Sequence, residues 1–122
     1  MINILWVAAG GAVGATMRFL ITSSAKYIFP SFPIGTLIIN VLGSFFIGFL
    51  ISYMENKNIS SFIIKYFLII GVLGSFTTFS SFSFEIIDMI NNRKFFLSLF
   101  YITSSLLTCI FCCYLGYNLN KI

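Results

Sequence analysis

Apolar residues run along this chain in four long blocks, at residues 3–24, 34–54, 62–90 and 95–117, each ended by polar or turn-forming residues. A helix needs about 20 apolar residues to cross a bilayer, so each block predicts one membrane span. Lys26, Pro30 and Pro33 follow the first block, and the two prolines predict a loop there. Glu55-Asn56-Lys57-Asn58 follows the second, Asn91-Asn92-Arg93-Lys94 the third, and Lys121 lies beyond the fourth. The third block is longer than a straight span requires, which predicts a tilted or broken helix. The pattern predicts an all-α membrane protein with four transmembrane helices, short loops and a single transmembrane domain over residues 1–122.

Composition supports that class. Hydrophobic residues make up 59% of the chain, charged residues 8%, and the mean hydropathy is +1.04. A soluble domain carries about 25% charged residues; this chain cannot cover a water-facing surface. The first block does not read as a cleaved signal peptide, because it lacks a basic leader and Arg18 interrupts it. The net charge of +4 suits basic residues that contact anionic headgroups. No basic run or stacking platform points to nucleic acid. The chain has no histidine, and its acids are Glu55, Glu85 and Asp88. That set offers no catalytic pair, so no enzyme is predicted. Cys109, Cys112 and Cys113 all fall in the fourth block, where thiols serve as small apolar fillers.

Charge also bears on orientation. With four spans, one side collects Lys57, Lys65 and Lys121, and the other Lys26, Arg93 and Lys94, three against three. Lys/Arg bias normally fixes topology. A balance predicts insertion in both orientations, which permits an antiparallel homodimer with its axis in the membrane plane.

The polar positions inside the spans are the candidate functional residues. Gly74 through Glu85 carries six hydroxyl side chains and four phenylalanines at bilayer depth. Hydrocarbon offers hydroxyls no partner, so they must face protein or a polar pathway. Phe79 and Phe82 are three apart and share a helix face, and the positive edge of a phenyl ring suits a small anion. Gly74, Thr77 and Thr78 suggest a non-helical break whose free carbonyls would suit a small cation. In the second block Thr36, Asn40 and Gly43 line one face, with Asn40 either clasping another helix or offering donors to a pore. In the first block Gly10, Gly14 and Arg18 recur every four residues. The glycines permit close packing; Arg18 either snorkels or attracts an anion.

Three strings carry a resemblance. Gly10-Gly11-Ala12-Val13-Gly14-Ala15-Thr16-Met17-Arg18, Gly35 through Phe45, and Gly71 through Glu85 resemble the signatures of the CrcB/Fluc fluoride channel family. The likeness extends over all four spans, and Thr-Thr-Phe-Ser-Ser-Phe is highly specific in so small a chain. It implies an antiparallel dual-topology homodimer in a bacterial cell (inner) membrane, with two fluoride pores and a structural sodium ion at a broken third helix. It implies no organic cofactor. By position, the fluoride pore residues are Asn40, Phe79 and Phe82, with Thr36 and Ser80 at polar positions nearby and Tyr101 and Ser105 on a polar track in span four. Cys109 stands where that track would carry a hydroxyl. The carbonyls of Gly74 and Thr77 are the implied sodium ligands, and Arg18 matches the family arginine in an electrostatic or structural role. The resemblance makes the chain a passive fluoride exporter whose partners are the ion, the bilayer and its own copy. Two rivals are a proton-coupled small multidrug exporter and a non-transporting assembly subunit. The exporter would need a carboxylate deep in a span, whereas Glu85 and Asp88 lie toward the end of block three.

Overall fold

A computed structural model describes residues 1–58 and 60–121. It holds four helical spans, Ile2–Ile28, Ile34–Asn56, Ile63–Asn91 and Phe95–Leu119, each long and apolar enough to cross a membrane. The chain is a multi-pass, all-helical membrane protein.

The helices outrun the apolar blocks. Lys26 was expected in the first loop, but it occupies the last turn of the first helix, where the Phe29 amide donates to Ala25 O at 2.8 Å. A cation is favoured at a helix C-terminus by the backbone dipole, so the helix continues until the proline-bearing segment. Glu55 and Asn56, expected in the second loop, end the second helix through tertiary hydrogen bonds, against the dipole in the case of Glu55. Each has a partner on the fourth helix or just beyond it. Tyr117 Oη donates to Glu55 Oε2 at 2.7 Å, Asn56 Nδ2 donates to Asn120 O, and Asn120 Nδ2 donates to Phe49 O at 2.9 Å.

The third span is assembled from unlike pieces. Ile63–Leu73 is wound as a π-helix, Gly74–Phe76 is a short α-helical turn, and Phe79–Asn91 is α-helical. The span closes with Arg93 in the left-handed region (φ 58), while Arg93 N donates to Ile90 O and Lys94 N to Met89 O. That pairing satisfies the last carbonyls and turns the chain into the fourth helix.

Large apolar side chains lie on the outside as well as in the core formed by residues such as Ile39, Phe76 and Met89. Phe96 is 91% exposed, while the buried set includes Thr36, Ser52, Thr78, Ser98 and Ser105. Lipid covers the first kind of surface, so the interior is free to hold hydroxyls. Glycines bring the backbones together, as expected where lipid removes the hydrophobic drive between helices. A Cβ on Gly48 would lie 2.2 Å from Cys113 O, and one on Gly116 would lie 2.1 Å from Phe45 O. The second and fourth helices therefore touch backbone to backbone. The first helix meets the π-wound segment similarly, with Gly10 against Phe67 O and Gly14 against Val72 O.

Two substitutions test the seam. Gly48→Val and Gly116→Val should each destabilise the protein by about 1–3 kcal/mol or prevent folding, because neither opposing backbone can retreat. Gly11→Ala, with no atom within 4 Å of the added carbon, should melt like wild type. Thermal unfolding in detergent measures all three; unchanged melting of the two valine variants would remove the seam from the fold's requirements.

Candidate ion pathway

The site forms where the third span changes backbone conformation. Thr77 N donates to Leu73 O at 3.1 Å, continuing the helical pattern. Thr77 then turns extended (ψ 151), as does Thr78 (φ −149, ψ 120), and the helix resumes at Phe79. Uninterrupted helix would send the Thr78 amide to Gly74 O and the Ser81 amide to Thr77 O. Both donors go elsewhere. Thr78 N donates to Asn40 Oδ1 at 2.7 Å, and Ser81 N donates to Thr78 Oγ1 at 3.2 Å. Gly74 and Thr77 thus lose the donors that would occupy their carbonyls. Gly74 is itself helical (φ −63, ψ −30), so the extended residues are Thr77 and Thr78 and the segment does not open at the glycine. Glycine tolerates a departure from helix; here the departure occurs where the amide protons are drawn away.

Asn40 completes the exchange, for its Nδ2 donates to Thr78 O at 3.0 Å. One side-chain amide satisfies both polar groups of one backbone residue. Of the two readings open for Asn40, the helix-to-helix clasp is therefore present, and the same residue also lines a groove. Gly43, one turn along, makes room for the threonine: a Cβ there would lie 2.1 Å from Thr77 Cγ2.

That groove has a volume of about 330 Å³ and is walled by Asn40, Ser44, Thr77, Thr78, Phe79, Phe82, Ser105 and Cys109. The two rings lie 5.3 Å apart and are tilted by 49°. They differ in setting, with Phe79 71% exposed and Phe82 only 5% exposed. Phe82 rests on Tyr101 at 5.1 Å, and Tyr101 stands edge-on to Phe32 at 5.4 Å. Ser105 Oγ is buried with no hydrogen-bond partner among the described residues. A buried hydroxyl of that kind calls for a ligand or water. Cys109 lies one turn further along the same wall.

A wider cavity of about 700 Å³ opens on the other side of the same segment, lined by residues including Arg18, Lys26, Thr36, Ser80, Ser81, Glu85 and Asp88. Thr36 Oγ1 donates to Glu85 Oε1 at 2.6 Å, and Tyr101 Oη donates to Glu85 Oε2 at 2.7 Å. Two hydroxyls expected along the pathway are thus turned toward a carboxylate. Ser80 lines the wide cavity, its Oγ 3.1 Å from Thr78 Oγ1. Arg18 is half-buried on that cavity wall. Thr36 and Tyr101 converge on Glu85, while Asn40, Phe79, Phe82 and Ser105 share the groove. Sequence reasoning passed over Glu85, which it weighed only as an unsuitable exporter acid. The available signal was that a carboxylate in a span must find donors, and the second and fourth blocks hold hydroxyls to supply them.

A membrane protein with polar residues gathered inside its spans, around an extended pair of threonines, is the class the geometry defines. The chain belongs to the CrcB family: residues 5–117 match the family described as CrcB-like protein, Camphor Resistance (CrcB). Among its relatives is a protein from Agrobacterium fabrum (strain C58 / ATCC 33970) named Fluoride-specific ion channel FluC. It is 42% identical over 122 residues, 99% of this chain and 98% of the relative. Proteins of the same name from Campylobacter fetus subsp. fetus (strain 82-40) and Chlorobium phaeobacteroides (strain BS1) are 40% and 39% identical. They cover 98% of this chain in each case, and 94% and 93% of their own lengths.

The Thr78 hydroxyl caps the helix that carries both rings. Thr78→Val should cost about 1 kcal/mol, the usual effect of losing an N-cap oxygen, whereas Thr78→Ser should stay close to wild type. Thermal melts of the two variants, compared in one detergent, check the assignment; equal melts would show that the cap contributes nothing.

Proposed function

We propose that this protein is a fluoride-selective channel that lets the ion leave the cell passively, down its electrochemical gradient. Membership of the CrcB family and relatives named fluoride-specific ion channels support the substrate. The observation that carries the mechanism is the groove, where an amide, a buried serine hydroxyl without a partner and two phenyl rings face one space. Fluoride is small and strongly hydrated, so a pore must replace its water with donors of comparable strength. Asn40, Ser105 and the ring edges of Phe79 and Phe82 supply them, and a narrow, partly apolar wall disfavours chloride. Ser80, with Arg18 nearby, faces the ion in the wide cavity. Thr36 and Tyr101 serve by holding Glu85. No covalent step is involved, and the protein is not an enzyme.

The working unit in this proposal is an antiparallel dual-topology homodimer. The balance of basic residues near the span ends, three against three, supports insertion both ways, with Lys26 and Lys65 inside the helical segments. The proposal also treats the third span as a functionally broken helix. Gly74 and Thr77 fit a sodium ion, since the donors of both carbonyls are diverted to Asn40 and to the Thr78 hydroxyl. Backbone oxygens from both chains would hold that ion on the two-fold axis. Bound there, sodium supplies a fixed positive charge that joins the two halves.

Reconstituted protein should pass fluoride without ATP or a proton gradient, and should exclude chloride. Phe79→Ile, which removes the positive ring edge and keeps apolar bulk, should cut fluoride flux strongly with the dimer intact. Phe82→Ile should cut flux and also lose about 1 kcal/mol from its contact with Tyr101. Asn40→Asp should fail, since a carboxylate removes the donors and repels an anion. Fluoride efflux from liposomes decides the matter. Chloride moving as fast as fluoride would end the selectivity reading, and wild-type flux in both ring variants would return the rings to plain packing.

A further inference from the structure

We propose that the Thr78 peptide backbone sets the selectivity of the pathway, by locking the Asn40 amide so that an N–H, and never its carbonyl oxygen, faces the ion. The inference rests on the reading above that fluoride passes Asn40. A side-chain amide has two donors on one end and an acceptor on the other. Its terminal torsion is broad and roughly two-fold, so a free asparagine can present either end to a passing ion. The acceptor end would repel an anion. In this structure the choice is removed. Thr78 N requires an acceptor and finds Asn40 Oδ1 at 2.7 Å; Thr78 O, which as the N-cap carbonyl also accepts the first bond of the helix that starts at Phe79, takes Asn40 Nδ2 on its other lone pair at 3.0 Å. Turning the amide over would set oxygen against oxygen and N–H against N–H. Both hydrogen bonds would be lost.

The lock also fixes what remains. Nδ2 carries two protons, and one is committed to Thr78 O. The other has no acceptor among the described residues, and Asn40 is half-buried on the wall of the groove that holds Phe79, Phe82 and the unpartnered Ser105 hydroxyl. The pathway therefore meets one oriented donor from Asn40. Specificity at this point comes from a main-chain group separated from the ion by two hydrogen bonds and the Asn40 amide, and any residue at position 78 with a backbone N–H would provide it.

Two measurements test this on the full-length protein. The first uses wild-type protein, isotopically labelled and reconstituted in lipid nanodiscs, with fluoride as the probe and chloride as the control. The two Asn40 side-chain proton resonances should behave unequally: one should stay put, held by Thr78 O, while the other shifts as fluoride is added. Equal shifts in both, or no shift in either while fluoride is transported, would overturn the lock. The second replaces Thr78 by its α-hydroxy acid, which exchanges the backbone N–H for an ester oxygen and keeps the side chain. In that variant fluoride-over-chloride discrimination, read from reversal potentials, should fall about tenfold, the worth of one orienting hydrogen bond. Wild-type discrimination in the ester would overturn the proposal. Should the ester variant fail to fold, the resonance measurement decides alone. Absence of fluoride flux in wild type defeats the channel reading itself, whereas flux with unlocked resonances defeats only the lock.

Discussion

The reciprocal pair between Asn40 and the Thr78 backbone is the constraint on which the rest of the site depends. Thr78, in extended conformation inside a bilayer, has an amide that hydrocarbon cannot satisfy and a carbonyl with a lone pair beyond the one the next helix uses. Asn40 meets both at once. Because it takes the Thr78 proton, the Gly74 carbonyl is left open; because Thr78 is extended, its own hydroxyl is free to cap the next helix through Ser81 N. That cap sets where the helix from Phe79 to Asn91 begins, and so where the two rings project. One side chain on the second helix thereby couples the carbonyls of the third span to its aromatic wall.

Such a polar centre needs a scaffold that does not compete for its partners. The glycine contacts supply one. Gly48 and Gly116 bring the second and fourth helices into backbone contact, and Gly10 and Gly14 do the same for the first helix and the π-wound segment. Close backbones exclude lipid and leave little freedom for the helices to slide. Ser75 adds a hydrogen bond from its Oγ to Gly11 O at 3.0 Å across the second of these seams. Asn120, Tyr117 and Glu55 tie the helix ends at one membrane face. The second helix is held along its length, so Asn40 reaches the third span at a fixed height.

Much of this was legible in the sequence, and the remainder was hidden for identifiable reasons. Four apolar blocks gave four spans because block length and bilayer thickness are matched quantities. The ends were less legible: Lys26, Glu55 and Asn56 look like loop residues by polarity, yet dipole and tertiary partners keep them helical. The π winding of Ile63–Leu73 left no mark, since an unbroken apolar run is compatible with either helix. Asn40 stood out, but its partner is a main-chain group, and backbone groups carry no side-chain signature. Gly74, Thr77 and Thr78 were legible together as a departure from helix, and within that string it is the two threonines that turn extended while the glycine stays helical. Thr36 and Tyr101 were recognised as polar residues inside spans, and their common target was not, because Glu85 is distant from both in sequence and meets them only in the fold.

Glu85 poses the sharpest physical question in the proposed pathway, since a carboxylate beside an anion route is repulsive. Its surroundings answer it. Each oxygen receives a hydroxyl proton, from Thr36 on one side and Tyr101 on the other, and Arg18 and Lys26 share the wall of the same cavity. Two hydroxyl donors on opposite oxygens hold the side chain in one orientation. Tyr101 in turn backs Phe82, which ties the position of the carboxylate to that of a ring in the groove. The wide cavity and the groove are thus linked through Glu85, Tyr101 and Phe82. An ion passing from one space toward the other would leave hydroxyls and basic side chains for an amide and aromatic edges, with both oxygens of the acid engaged by Thr36 and Tyr101.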